Sequence, residues 1–504
     1  MIKNKNNFIS LKEGFKSVQK KSHYVASGIF PIIITPKNDL NLVFFNYWNN
    51  KNKIPTENLK CFIKIYDTQG NLLCHFESKI SKFHNQHSIK EILKNNNLKI
   101  NKIVGTVNVE IVSLEKLGYP FPAITGIYNS GNIYSSVHSA GRIKNNSEPH
   151  DVIYTEETNW TCKFDNSITP FFHYFVGNQK PKLNYITVKV LSKNKKIKKS
   201  KKILIDDINV FGSKIFFIKE IFKNSSFSNS DFISIEVEHN SVFPRLIVGN
   251  YHASKNFFEV THSFPKITKK DHCTSNGGNY FQSKMLGYTN KDLNLKLKIF
   301  PTSCKGNFTG ETFVKKFGEK KLNKTNQEIY FSQKKLESEN VIRLDNDEEI
   351  KSIKLKGDKI PSRLNTSFIY NVRGCKTKYS VDIASGAHSS IFPKKITHWG
   401  HGYCAEGFNS IIMIANDNFE HSYYETFKGI LNVYSNDLKT KIPVVIHPGS
   451  LLTIDISKHK KFTKLKKRKL GFFSWFLKLE KPGCECFWLS YRKKDGSIFG
   501  DHSF

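Results

Sequence analysis

Four His-Ser pairs punctuate this chain: His138 in SSVHSAG, His262 in EVTHSFP, His388 in SGAHSSI and His502 in GDHSF. An imidazole is a donor and an acceptor whose charge changes near neutral pH, and the adjoining hydroxyl adds a second polar group. Such a pair suits sugar hydroxyls or anions. At a strand end the same residues also serve as hydrogen-bond partners for nearby backbone, and that structural role is the competing reading. Another histidine follows each internal pair at a similar distance: His150 in EPHDVIY, His272 in KKDHCTSNGG, and His398 with His401 in THWGHGYCAEGF. His23 in KSHYVASG stands before the first pair. Tyr251 and Tyr491 lie equally far before His262 and His502 and complete the candidate ligand-binding set.

Imidazole, thiolate and carboxylate are ligand types for Zn2+ or Fe2+, so His398, His401 and Cys404 form a candidate metal set, with Glu406 close behind. Gly400 and Gly402 make a helix unsuitable there, and the spacing matches no standard metal motif. A glycine-rich connecting loop with incidental polar residues is the alternative. No other cofactor is expected, and no catalytic residue is assigned. There is no GxSxG elbow, P-loop, GxGxxG after a strand, or HExxH. Adjacent strand residues face opposite sides, so His-Ser is not a nucleophile–base pair. Glu259 and Asp501 are carboxylates placed to orient a neighbouring imidazole.

The formal charge of +35 raises the question of polyanions. Only seven of the 78 basic residues are Arg, the residue suited to bidentate phosphate and base contacts, and Lys is spread along the chain. Nucleic acid is therefore disfavoured. Two dense clusters, SKNKKIKKSKK (192–202) and KHKKFTKLKKRKL (458–470), keep polyanion contact as an alternative to a solvated surface. Nine Cys without a CxxC pair suggest free thiols in a reducing compartment. The beginning lacks an apolar stretch of signal-peptide length, and no run is long enough for a transmembrane helix. A cytoplasmic location is expected.

What positions the histidines is a recurring order of landmarks. Alternating segments, the mark of half-buried strands, appear as CFIKIYD (61–67), YITVKVLS (185–192), NLKLKIFP (294–301) and GILNVYS (429–435). HSIKEIL (87–93) and FFIKEIF (216–222) follow in the first two copies, with EEIKSIKL (348–355) and SLLTIDI (450–456) as counterparts. Their Ile-Lys-Glu-Ile pattern is taken as strand rather than short helix. A further strand, VNVEIVS, ISIEVEH or FLKLEK, precedes a hairpin that ends on each His-Ser pair, and copy three lacks its clear equivalent. The polar stretch 305–339 reads as a surface insertion in copy three.

The fold expected is all-β: four tandem antiparallel β-sandwich repeats in a pseudo-symmetric compact array, with self-association in the ancestry. The boundaries are a tail over 1–22 and repeats over 23–140, 141–264, 265–390 and 391–504. The function expected is non-enzymatic binding or scaffolding, with a glycan or other polar or acidic polymer as ligand. Trp48, Trp160, Trp399 and Trp488 are candidates to stack on sugars. The alternatives are a metal-dependent enzyme using 397–408 and polyanion binding through the two Lys clusters.

Overall fold

The computed structural model describes residues 24–117, 123–139, 153–239 except 195, 245–265, 272–274, 281–299, 308–331 except 321, 340–388 except 358, 362, 377 and 378, 395–416, 425–460 except 436 and 437, and 471–504. The expected tail lies outside them. The fold is nearly all β, with antiparallel sheets packed as sandwiches.

The first stretch supplies β1 (Tyr24–Ile34), β2 (Asn38–Phe45), β3 (Leu59–Asp67), β4 (Leu72–Lys79), β5 (His84–Ser88), β6 (Ile103–Ser113), β7 (Thr125–Ser130) and β8 (Ile133–His138). They form two sheets, ordered β1-β6-β3-β4 and β5-β2-β7-β8. Next come β9 (Ile153–Asn159), β10 (Ile168–Phe175), β11 (Tyr185–Leu191), β12 (Ile197–Leu204), β13 (Ser213–Phe217), β14 (Phe232–His239), β15 (Ile247–His252), β16 (Phe257–His262) and β17 (Phe264–Pro265). Their orders are β12-β11-β14-β9-β17 and β13-β10-β15-β16.

The third group is β18 (His272–Thr274), β19 (Phe281–Tyr288), β20 (Leu293–Ile299), β21 (Phe308–Lys316), β22 (Asn323–Phe331), β23 (Asn340–Arg343), β24 (Glu348–Gly357), β25 (Lys359–Pro361), β26 (Arg363–Val372) and β27 (Val381–His388). Their orders are β19-β24-β21-β22, β23-β20-β26-β27 and a small β18-β25 pair. The last is β28 (Thr397–Tyr403), β29 (Asn409–Ala415), β30 (Phe427–Tyr434), β31 (Lys439–Ile446), β32 (Leu451–Asp455), β33 (Phe472–Leu479), β34 (Glu485–Tyr491) and β35 (Ile498–His502). These are ordered β28-β33-β30-β31 and β32-β29-β34-β35.

Alternation builds these strands. β20 reads LNLKLKI and buries Leu293, Leu295, Leu297 and Ile299 while its Asn and Lys residues stay half-buried. In the first sheet pair, Phe30, Leu40, Leu42, Ile63, Ile65, Val107 and Val109 meet in one core between the sheets. Each such side chain contributes roughly 1.5–3 kcal/mol by leaving water.

Three expectations need correction. The stretch 305–339 is not a surface insertion: it holds β21 and β22, and β21 pairs with both β22 and β24 inside a sheet. Its inner face carries Thr312 as well as Val314, so the apolar alternation that marks other strands is missing. As a consequence, Leu293–Ile299 is the second strand of its sheet pair rather than the third, and EEIKSIKL lies in β24, the strand that copy three was expected to lack. The Ile-Lys-Glu-Ile segments are helical. Besides α1 (Tyr47–Asn52), the chain has α2 (Ile89–Asn95) and α3 (Ile218–Ile221). The Ser88 side chain accepts from the Glu91 backbone N–H, half of the Ser-x-x-Glu capping box that the sequence displays.

The last strands of the sheet pairs gather together. β8 lies against both β16 and β35, and β27 lies against both as well. Successive residues of SSVHS point to opposite neighbours. Ser135 Oγ accepts from Val260 N–H at 2.9 Å, whereas Ser136 Oγ accepts from Gly500 N–H at 3.0 Å and donates to Gly500 C=O at 2.8 Å. The first and last sheet pairs also meet through aromatic rings. Phe45 stacks on Tyr434 and Phe476 with centroids 5.8 and 5.4 Å apart, and Tyr47 stacks on Trp399 at 5.0 Å. Phe45→Ala is therefore expected to cost roughly 3–5 kcal/mol in denaturant unfolding. Tyr154→Ala, at a position 57% exposed, should stay within about 0.5 kcal/mol of wild type. Equal effects would contradict this packing.

Candidate functional site

Each His-Ser pair for which side chains are described closes a hairpin in the same way. The serine N–H returns to a carbonyl within one residue of the start of the preceding strand: Ser139 to Ile124 at 2.9 Å, Ser263 to Leu246 at 2.8 Å, and Ser503 to Cys486 at 2.8 Å. Two of the three hydroxyls are engaged, whereas Ser139 Oγ is buried without a hydrogen-bond partner. Ser263 Oγ accepts from Leu246 N–H and donates to the buried carboxylate of Glu157, and Ser503 Oγ bonds His398 Nδ1 at 2.9 Å. The serines thus fasten strand ends.

The histidines converge because β8 sits between β16 and β35. The ring centroid of His138 is 4.8 Å from that of His262 and 4.9 Å from that of His502, with interplanar angles of 68° and 67°. Phe504 covers the edge, 5.3 Å from His138 and 5.4 Å from His502. Each imidazole offers Nδ1 to an oxygen: His138 to Asp501 Oδ2, His262 to Ser263 C=O and His502 to Ser503 C=O, all at 2.9 Å. A carbonyl only accepts, so Nδ1 of His262 and His502 carries the proton and Nε2 keeps its lone pair.

Burial pushes His502 down to about 4 and His262 well below its ordinary value, so both rings are neutral at pH 7. Burial would raise Asp501, but the adjacent His138 and His502 hold it below the usual carboxylate range. Arg245 Nη1 is 3.2 Å from Nδ1 and 3.3 Å from Nε2 of His262. Near-equal reach to both nitrogens places the guanidinium over the ring face, not along either lone pair.

The fourth histidine, His388, ends β27 opposite Arg363 in the register, but its side chain lies outside the described residues. His23 and His150 lie outside them entirely, and so does the side chain of His272 in β18. Tyr251 and Tyr491 are not brought to the histidines. Tyr251 pairs with Phe258 near the hairpin tip and donates to Asn256 Oδ1 at 2.6 Å, and Tyr491 donates to Asp292 Oδ2 at 2.8 Å. Glu259 turns away from His262 and binds Lys163 Nζ at 2.5 Å, Ser380 Oγ at 2.6 Å and His252 Nε2 at 3.1 Å.

The junction 397–408 is not a loop wrapped around a metal. Residues 397–403 form β28, and Gly400 and Gly402 are required there because a Cβ would fall 2.7 Å from Trp488 and 2.1 Å from Phe473. His398 bonds Ser503 Oγ and Gly483 C=O, His401 bonds Ser474 Oγ, and Cys404 is buried in an apolar core. The three therefore do not converge. Among the described residues, the His/Cys/carboxylate group whose ligand atoms all lie within 4.8 Å is His138, Asp501 and His502. The four tryptophans suggested for sugar stacking are all buried: Trp48, Trp160, Trp399 and Trp488 are at most 7% exposed.

Sequence reasoning missed a second class of histidine. His84 Nδ1 and His401 Nδ1 share Ser474 Oγ at 2.9 and 3.1 Å, joining the first and last sheet pairs. His173 Nε2 meets Thr106 Oγ1 at 3.0 Å, joining the first and second. Isolated from recognisable motifs, His84 and His173 carry no spacing signal, and the spacing of His401 from His398 points to a metal set rather than to this contact.

No family model matches this chain, and no curated protein does. A solved structure described as "Biofilm associated protein - BSP domain" is similar at 7% identity over 96% of this chain and 95% of that one, with a TM-score of 0.16. Trypsin-activated alpha-2-macroglobulin from Escherichia coli is similar at 8% identity over 92% of this chain and 30% of that one, with a TM-score of 0.11. Similarity at those scores supports no transfer of architecture or activity. No helix among the described residues is long and apolar enough to cross a membrane.

Burial pushes His84 down to about 4 and His173 and His401 to about 3. The unfolded chain, with imidazoles near 6.5, binds these protons first. Their contribution is complete above pH 6.5 and is lost as pH falls toward about 3. Unfolding free energy is expected to decline over that window, and His173→Gln should reduce the slope by about one proton. A slope unchanged by the substitution would contradict a neutral, buried His173.

Proposed function

We propose that this chain is a non-enzymatic binding scaffold of four sandwich units descended from one duplicated unit. Its ligand is an acidic glycan or other polyanionic polymer. The observation that carries the reading is β12, IKKSKKIL, an edge strand whose residues 197–202 are all exposed. Lys198, Lys199, Lys201 and Lys202 occupy a single short strand there, and Lys202 Nζ lies 4.5 Å from the Tyr185 ring centroid. Lys198 is neutralised by Asp231 at 2.7 Å, leaving the positive character of the strand to the other three.

The distribution of carboxylates strengthens the field. Glu157, Asp231, Glu238, Glu259, Glu348 and Asp501 are buried, against Lys315, Lys351 and Lys354. Among the described residues more carboxylates than lysines are thus withdrawn from the surface, and a positive field attracts polyanions over a Debye length of roughly 10 Å. The burial of the tryptophans favours charge over sugar stacking as the mode of recognition. Residues 461–470 of the second Lys cluster lie outside the described residues.

Heparin serves as the test polyanion. Wild-type protein is expected to be retained at low salt and released at moderate salt, and the triple variant Lys199→Glu, Lys201→Glu, Lys202→Glu should elute earlier. The slope of log affinity against log salt should shrink by about two to three contacts. Equal elution of folded variant and wild type would refute β12 as the contact.

A further inference from the structure

We propose that His138 and His502, with His262 and Asp501 beside them, hold a late first-row divalent cation such as Zn2+ where the last strands meet. The first argument is which ring nitrogen is available. Ser263 and Ser503 carbonyls hold Nδ1–H of His262 and His502, and the Asp501 carboxylate holds Nδ1 of His138. Metal-ligating histidines are ordinarily fixed in this way, by a carbonyl or carboxylate on the nitrogen that does not bind the ion.

The second argument is spacing. Two imidazoles bound through nitrogen at about 2.0–2.1 Å and meeting at a tetrahedral angle place their ring centroids about 5 Å apart. The pairs at His138 are 4.8 and 4.9 Å apart. Asp501 supplies negative charge beside them, with Oδ1 3.9 Å from His502 Nε2, and can act as the outer partner of His138 or as a ligand. The side chains of His138 and His502 are 15% and 27% exposed, so an ion can enter from solvent.

Arg245 over His262, and Lys395, whose charge is felt at His502, oppose a cation and would instead favour an anion. An anion, however, needs donors. Nδ1–H of His502 is spent on the Ser503 carbonyl, which leaves its Nε2 as an acceptor that suits a borderline metal ion. The proposal is independent of polyanion binding on β12. Because His138 lies in the first sheet pair and Asp501 and His502 in the last, the ion would tie the two ends of the chain together.

The test uses the full chain, purified without a polyhistidine tag and stripped with chelator, titrated with Co2+. One equivalent should produce visible d–d absorption that Zn2+ abolishes. His138→Gln and His502→Gln should each weaken binding at least about 100-fold, and Asp501→Asn about 10- to 100-fold. His447→Gln, at an exposed position, should leave it unchanged. Crystals of wild type grown with Zn2+ provide a readout that does not depend on variants folding, with an anomalous peak expected between His138 and His502. No d–d absorption, affinity unaltered in both histidine variants, an anomalous peak elsewhere, or phosphate occupying the position instead would each overturn the proposal.

Discussion

An edge strand carries a row of backbone groups with no partner, and everything about this molecule's organisation follows from how those rows are covered. The last strand of each sheet pair is such an edge. β8, β16, β27 and β35 do not extend one another's sheets; they lie side by side, and serine hydroxyls satisfy amides of β8, β16 and β35. Ser135 and Ser136 do this in opposite directions from adjacent positions on β8. Tyr134 N–H is met likewise by Ser497 Oγ at 3.2 Å. A hydroxyl that both accepts and donates suits this role, since it serves an N–H and a C=O of the same residue, as Ser136 does with Gly500.

This arrangement explains why the histidines come together. A His at the end of β8 is carried by its strand to the ends of β16 and β35, although His138 and His502 are remote in sequence. The sequence announces the His-Ser pairs and the strands before them, because alternation and turn residues are local signals. It cannot announce that three rings meet, because that depends on packing between strands that share no register. It also misleads where local chemistry deviates. Thr312 on an inner face hid β21, and Gly400 and Gly402 read as loop because their reason for being small is Trp475, Trp488 and Phe473, far along the chain. Ser88 and Glu91 did carry a helix signal, and the three-residue spacing of Ile89 and Ile92 agrees with it, since it puts both on one helix face but on opposite faces of a strand.

Two polar populations emerge. Interior imidazoles are neutral, singly bonded and placed between sheet pairs, as with His84, His173 and His401. Those at the strand ends are grouped: His138 and His502 are partly exposed, His262 is buried, and Asp501 backs His138. The first population makes assembly sensitive to acid, whereas the second has the geometry of a binding site. Surface lysines form a third group with a different physical effect, a long-range field rather than a defined contact.

Amide hydrogen exchange at Val260 and Gly500 tests the serine-covered edges most directly. Both amides should be protected in the wild type. Ser135→Ala should release Val260 and leave Gly500 protected, while Ser136→Ala should do the reverse. Rapid exchange at both positions in the wild type, or the same response to either substitution, would contradict the account.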